Sequence, residues 1–137
     1  MILHEYHARS LEATLSRADD AMNRVERLLA NAGQDGAVRK VENTLSTEAR
    51  EALLAQLHTL RSLLGSMAEA FSLQTHALDI RRVLDAELST LWVLFEDCRP
   101  KRMKGYGQQF APEARAALEE HVEELLAHVA AMRGQVD

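Results

Sequence analysis

Four basic residues and one tyrosine stand together in the segment 99–107, RPKRMKGYG, which contains no acidic residue. They are Arg99, Lys101, Arg102, Lys104 and Tyr106. Cations at this density could bind a phosphate, a nucleic-acid backbone or an acidic partner, and the glycines beside the tyrosine would let backbone amides approach the anion. The competing interpretation is structural, because cations also complement the negative end of a preceding helix. The spacing is not that of a P-loop or a dinucleotide fingerprint, so the pattern does not specify a ligand.

A second pattern pairs Arg115 with His121 across the five residues AALEE. This heptapeptide resembles the motif of the HEPN family, which comprises helical nucleotide-binding proteins and ribonucleases. A polar residue usually follows the arginine in that family, whereas this chain has Ala116. The resemblance covers seven residues. It implies that Arg115 would hold a phosphate and His121 would transfer a proton, with a second such pair supplied by a dimer partner.

The remaining reactive residues do not form a metal or nucleophile motif. Di-iron helical bundles use Glu-x-x-His, and no histidine in this chain has a glutamate three residues before it. His4 and His7 are one helical turn apart, and His121 and His128 are two turns apart, but surface histidines explain such spacing better than a metal does. Cys98 falls on an apolar helical face and is predicted to be a small buried hydrophobe. We therefore predict no metal and no cofactor.

Apolar residues recur through the chain at steps of three and four, which is typical of amphipathic α-helices. The pattern predicts a first helix over residues 3–32, a second from residue 47, a third over 76–98 and a fourth from 112 to 134. Four apolar seams are predicted to be buried: Ala8, Leu11, Leu15, Ala18, Met22, Val25, Leu29 and Ala32; Leu53, Leu57, Leu60, Leu64, Met67 and Phe71; Ala77, Ile80, Leu84, Leu88, Leu91, Phe95 and Cys98; Leu118, Val122, Leu125, Val129 and Met132.

The predicted helix ends depend on capping residues and prolines. Gly33 is placed to end the first helix, and Ser46 is a good N-cap for the second. Pro100 requires the third helix to stop at or before Arg99, and Pro112 suits the first position of the fourth. In the connection 33–46, the spacing of Val38, Val41 and Leu45 predicts a short helix packed across a bundle end.

Residues 47–98 contain no proline, so two architectures are open. In the favoured one the chain turns near residues 72–75, with Thr75 capping the next helix. In the other, the segment forms one helix of roughly 78 Å, which would need a partner chain along its exposed half. Helices of that length are uncommon in small domains, and this favours two helices.

Composition limits the class of protein. The 137 residues fit one domain, and the abundance of Ala and Leu with only two prolines favours helices. A net charge of −5 argues against general nucleic-acid binding, and one cysteine allows no internal disulfide. The N-terminal residues do not resemble an export signal and no apolar run is long enough to span a bilayer, so we expect a cytoplasmic protein without membrane contact. Thirteen arginines against three lysines suggest a GC-rich, bacterial source.

Together these patterns predict an all-α fold: a left-handed, up-down four-helix bundle that forms one domain over residues 1–137, with a long first connection and a basic connection before the last helix.

Two function classes follow. The first is an interaction or regulatory protein that binds a protein partner, a second copy of itself or an anion through an exposed helix face or the segment 99–107. Leucines predicted on the outer faces, namely Leu28, Leu54, Leu63 and Leu126, favour this class. The second is a small nucleotide-binding or RNA-cleaving enzyme that uses Arg115, His121 and the basic segment 99–107.

Overall fold

The computed structural model describes residues 1–30, 36–103 and 110–137. Within these ranges the chain forms four α-helices and no strand, which confirms the predicted all-α fold. The helices are α1 (Glu5–Leu29), α2 (Thr47–Ala70), α3 (Ile80–Glu96) and α4 (Pro112–Val136), and a short 3₁₀ helix, Pro100–Arg102, follows α3. The up-down order of the whole bundle and its left-handed twist stay predictions.

The chain divides into two compact units, unit 1 (Met1–Thr75) and unit 2 (His76–Asp137). In unit 1, α1 packs against α2, and in unit 2, α3 packs against α4. Each unit is therefore a pair of helices joined by a connection. The closure of residues 1–137 into one domain stays a prediction.

The helices of unit 1 run antiparallel. Near the end of α1, the Leu29 carbonyl accepts a hydrogen bond from Arg50 Nε in the first turn of α2. One helical length away, Glu12 Oε1 accepts from the backbone N–H of Gln74, 3.1 Å away, just after α2. Because late α1 contacts early α2 and early α1 contacts the residues after α2, the two helices form a hairpin.

The helices of unit 2 are also antiparallel. Arg133, near the end of α4, donates a hydrogen bond to Ser89 Oγ of α3 at 3.1 Å. At the other end, Arg99 contacts Glu119 of α4 at 2.8 Å. The strongly buried apolar side chains of the described residues lie on the facing sides of these hairpins. They are Leu29 and Leu57 in unit 1, and Leu88, Val122, Leu126 and Val129 in unit 2.

Three helix starts have clear physical causes. The Ser46 hydroxyl accepts a hydrogen bond from Ala49 N at 3.1 Å, which confirms the predicted cap of α2. Pro112 occupies the first turn of α4 as predicted. The prediction that Thr75 caps the third helix is wrong: α3 begins after Asp79, whose Oδ1 accepts from Arg81 N at 2.9 Å. A carboxylate cap also complements the positive helix end, which a threonine cap cannot do.

The break between α2 and α3 confirms the two-helix interpretation of residues 47–98. α2 ends in a Schellman motif, in which Leu73 N–H bonds to Ala68 carbonyl oxygen at 2.9 Å and Ser72 N–H bonds to Glu69 carbonyl oxygen at 3.1 Å. Ser72 has a φ of 52°, in the left-handed region where glycine is the usual residue. A serine at this position explains why the sequence marks the turn so weakly.

Two further expectations are corrected. The predicted short helix in the first connection is absent from its described part, 36–46, where Val38 is 98% exposed and Val41 and Leu45 are also exposed. A single apolar spacing without a following turn does not provide the contacts that a short helix needs. Gly134 lies within α4, which continues to Val136. Gly33, the expected end of the first helix, lies outside the described residues.

Leu125 and Leu126 provide a matched test of packing in unit 2, because Leu126 is 3% exposed and Leu125 is 42% exposed. We expect Leu126→Ala to lower the free energy of unfolding by about 3 kcal/mol, because it leaves a cavity between α3 and α4. Leu125→Ala should cost less than about 1 kcal/mol. Urea denaturation followed by circular dichroism measures both, and equal losses would contradict the burial difference.

The left-handed backbone of Ser72 predicts a stabilising substitution. Ser72→Gly should raise the free energy of unfolding by about 0.5 kcal/mol, because relief of the strain exceeds the entropy that glycine adds to the unfolded chain. Ser66→Gly, within α2, is the control and should lower stability by a similar amount. Thermal denaturation of the original chain and the two variants measures these changes in stability. Loss of stability in both variants would contradict a strained left-handed backbone at Ser72.

Candidate protein-interaction surface on the α3–α4 hairpin

Arg99, the first cation of the predicted anion-binding segment, is bound by three carboxylates of its own unit. Its Nε lies 2.8 Å from Glu96 Oε2, and its Nη1 lies 2.8 Å from Glu119 Oε2 and 2.7 Å from Glu123 Oε1. Only 14% of the side chain is exposed. The guanidinium thus joins the end of α3 to the second and third turns of α4.

Hydrogen bonds within this cluster shift two pKa values in the directions expected of ion pairs. The hydrogen bond from Arg99 holds the pKa of the Glu96 carboxyl below its ordinary value, and the charges of Arg99, Lys101 and Arg102 add to this effect. The hydrogen bond to Glu96 is also the main reason that the pKa of Arg99 is raised. Glu96 and Arg99 are therefore charged at neutral pH, and the three carboxylates occupy most of the Arg99 N–H donors.

The other predicted anion-binding residues divide between the described and undescribed parts of the chain. Lys101 and Arg102 lie in the 3₁₀ helix and are exposed. Lys104 and Tyr106 lie outside the described residues. Because Arg99 is bound by carboxylates and Asp97 lies nearby in the chain, the described part of this segment presents two available cations beside several acidic residues. An anion would meet less positive charge here than the sequence alone indicates.

Arg115 and His121, the residues of the HEPN-like heptapeptide, both lie on α4 and are exposed. Six helical residues separate them by about 9 Å along the axis and about 120° around it. They therefore project from different sides of one helix. A phosphate held by Arg115 would not lie directly beside the His121 imidazole.

Unit 2 exposes a row of apolar side chains on α3 and α4, which we call the apolar face. It comprises Ile80 (70% exposed), Leu84 (41%), Leu91 (38%) and Leu94 (53%) on α3, with Leu125 (42%) and Met132 (53%) on α4. The prediction that Ile80, Leu84, Leu91, Leu125 and Met132 are buried seam residues is wrong for this hairpin. Leu88, Val122 and Val129 of the same seams are buried as predicted.

The apolar-face residues of α3 and those of α4 lie on the same side of the hairpin. Successive residues of an α-helix are rotated by about 100° around its axis. By this count the apolar-face residues of α3 are rotated by roughly 40–120° from Leu88, which is buried. Those of α4 are rotated by roughly 60–80°, in the same sense, from Val122, which is also buried. In an antiparallel pair, rotation in the same sense on both helices leads to the same side. Leu84 and Met132 accordingly line one groove.

Polar contacts between the helices occupy the opposite flank. Arg99 with Glu96, Glu119 and Glu123 closes one end of this flank, and Arg133 with Asp85 and Ser89 closes the other. On this flank Asp85 is exposed, whereas Ser89 is half-buried against Arg133. One flank of the hairpin is ion-paired and the other is apolar.

Some residues singled out from the sequence take roles other than those expected. Leu126 and Leu54, predicted on outer faces, are buried and half-buried, whereas Leu28 and Leu63 are exposed as predicted. Cys98 is half-buried, and its Sγ–H donates to the Leu94 carbonyl at 3.4 Å. In unit 1 the prediction that Val25, Leu53, Leu60 and Met67 are buried seam residues is wrong, because all four are exposed.

Comparison of the chain with known protein families, with curated proteins and with solved structures returned no match in any of the three. Within the described ranges, no group of three or more His, Cys, Asp or Glu side chains is arranged to hold a metal ion. None of the helices in this part of the chain combines the length and the apolar character needed to cross a membrane.

The lowered pKa of Glu96 predicts how stability depends on pH. A carboxyl group whose pKa is lower in the folded state stabilises the fold above about pH 4.5, and this contribution is lost as the pH falls through the folded value. Glu96→Gln should therefore lower the melting temperature most at pH 7, and the difference from the original chain should shrink below pH 4.5. Glu120→Gln, which changes an exposed α4 residue, is the control. A pH-independent difference would exclude the ionised Glu96–Arg99 pair as its source.

Proposed function

We propose that this protein is an interaction module whose apolar face binds an amphipathic α-helix of a partner protein. The observation that carries the proposal is the exposure of six large apolar side chains along one side of the α3–α4 hairpin. Scattered exposed leucines are ordinary, but six large apolar side chains on one side of two adjacent helices are typical of an interaction surface.

The spacing of the face favours a helix as the occupant. On α3 its residues follow one another at steps of four, seven and three, and on α4 Leu125 and Met132 are seven residues apart. Steps of this kind form ridges that fit the grooves of another helix. A third amphipathic helix laid along the hairpin would cover apolar surface that α3 and α4 leave open.

Polar residues within the face would set the register of the partner. Glu87 lies among the α3 leucines, and His121 and His128 flank Leu125 on α4, all three exposed. A partner helix that places polar side chains against these positions would be favoured over one that places apolar side chains there, because unpaired buried polar groups are costly.

The other functions considered receive less support. Binding of an anion at the segment 99–107 would rely on Lys101 and Arg102 among the described residues, since Arg99 is bound by three carboxylates. An RNA-cleaving enzyme would need Arg115 and His121 to act on one phosphate, and about 120° of helix rotation separates them.

Position-specific photo-crosslinking tests the proposal. A photoreactive residue placed singly at Leu91, Leu94 or Leu125 should form an adduct with one partner protein in host cells. The same residue at Glu120 or Ala131, which are exposed on the side of α4 opposite the buried line, should not. The partner identified from the adducts is then purified, and its binding to the original chain and to Leu91→Glu is measured by calorimetry.

We expect Leu91→Glu to weaken binding at least tenfold while leaving the melting temperature nearly unchanged, because Leu91 lies outside the buried core. An adduct with a second copy of this chain would identify self-association as the use of the face. Equal adducts at face and control positions, or undiminished binding of Leu91→Glu, would refute the proposal.

A further inference from the structure

A groove of about 350 Å³ opens within unit 2 between the beginning of α3 and the end of α4. Its apolar lining comprises Leu84, Leu88, Met132 and Val136, and its polar lining comprises Arg81 and Gln135. Leu88 is buried and forms part of the hairpin core, whereas Leu84 and Met132 belong to the apolar face. The groove thus continues from the core to the surface at one end of that face.

The size and lining of this groove suit a small molecule. Its volume lies at the lower end of the range occupied by ligand sites, which are mostly apolar with a few polar groups. Along α3, residues 81–88 extend about 10 Å, long enough for a short alkyl chain or one aromatic ring. An apolar ligand body would gain burial against four aliphatic or thioether side chains.

Arg81 supplies the charge at this groove. Two other arginines of unit 2 are bound within the hairpin, Arg99 by three carboxylates and Arg133 by Asp85 at 3.4 Å. Arg81 is exposed and makes no side-chain hydrogen bond or ion pair with the described residues. Asp85, one turn further along α3, is the acidic residue best spaced to pair with it, but Asp85 contacts Arg133 instead.

The geometry points to a binding site for a small amphipathic carboxylate, with its apolar body in the groove and its carboxylate on the Arg81 guanidinium. A guanidinium presents a planar array of N–H donors that matches a carboxylate. The site shares Leu84 and Met132 with the apolar face, but its test does not involve the proposed partner helix, because purified protein and a single small molecule suffice.

Octanoate is a suitable probe, and octan-1-ol and octylammonium serve as its neutral and cationic counterparts. A titration followed by NMR of the side-chain methyl groups should shift the signals of Leu84, Leu88, Met132 and Val136. For a ligand of ten non-hydrogen atoms the dissociation constant should be on the order of 1 mM. Octanoate should bind about tenfold more tightly than octan-1-ol, and octylammonium more weakly than either.

Arg81→Gln should remove the preference for octanoate over octan-1-ol, while Arg82→Gln should leave it unchanged. Arg82 is the matched control, because it is an exposed neighbouring cation that does not line the groove. Equal affinity for the three compounds, an equal effect of the two substitutions, or methyl shifts spread outside the groove would each overturn the inference.

Discussion

A pair of α-helices can bury only the side of each helix that faces the other, and the main features of unit 2 follow from this constraint. The buried residues of the hairpin are few, namely Leu88 on α3 and Val122, Leu126 and Val129 on α4. The apolar arc of each helix is wider than this contact. Residues at its edge, such as Leu91 and Met132, remain on the surface. The apolar face is therefore the uncovered remainder of seams that are too broad for one partner helix.

The ion pairs of unit 2 determine which flank stays apolar. Arg99 and Arg133 hold the two ends of the hairpin on one flank, through carboxylates of the facing helix. Exposed ion pairs contribute little on average, but a guanidinium that is largely enclosed and bound by three carboxylates fixes the relative position of its helices. The same carboxylates neutralise Arg99, whose charge would otherwise be available to a ligand. Arg99 thus acts in the fold, and Arg81 is the better placed of the two to bind an anion.

The proposed binding roles share one physical origin. The apolar face and the Arg81 guanidinium are exposed rather than buried or paired within the hairpin, so they are available to another molecule. A partner helix would use the length of the face, and a small carboxylate would use only the groove at its end. Both depend on surface that a two-helix unit leaves open, rather than on a constellation of catalytic groups.

The amino-acid sequence by itself determined the helical fold class and the helix ends marked by Ser46, Pro100 and Pro112, and it favoured four helices without deciding between two helices and one over residues 47–98. Ser46, Pro100 and Pro112 act through the backbone of their own turn, so their effects are readable locally. Only the tertiary structure decided which part of each apolar arc is buried, that Arg99 is bound by Glu119 and Glu123, and that α2 ends with Ser72 in a left-handed conformation. These features depend on residues of the facing helix or on strain that surrounding contacts offset. A seam of leucines indicates that a helix packs against another helix. Which leucines of the seam are buried, such as Leu88 rather than Leu91, depends on the angle at which the neighbouring helix packs.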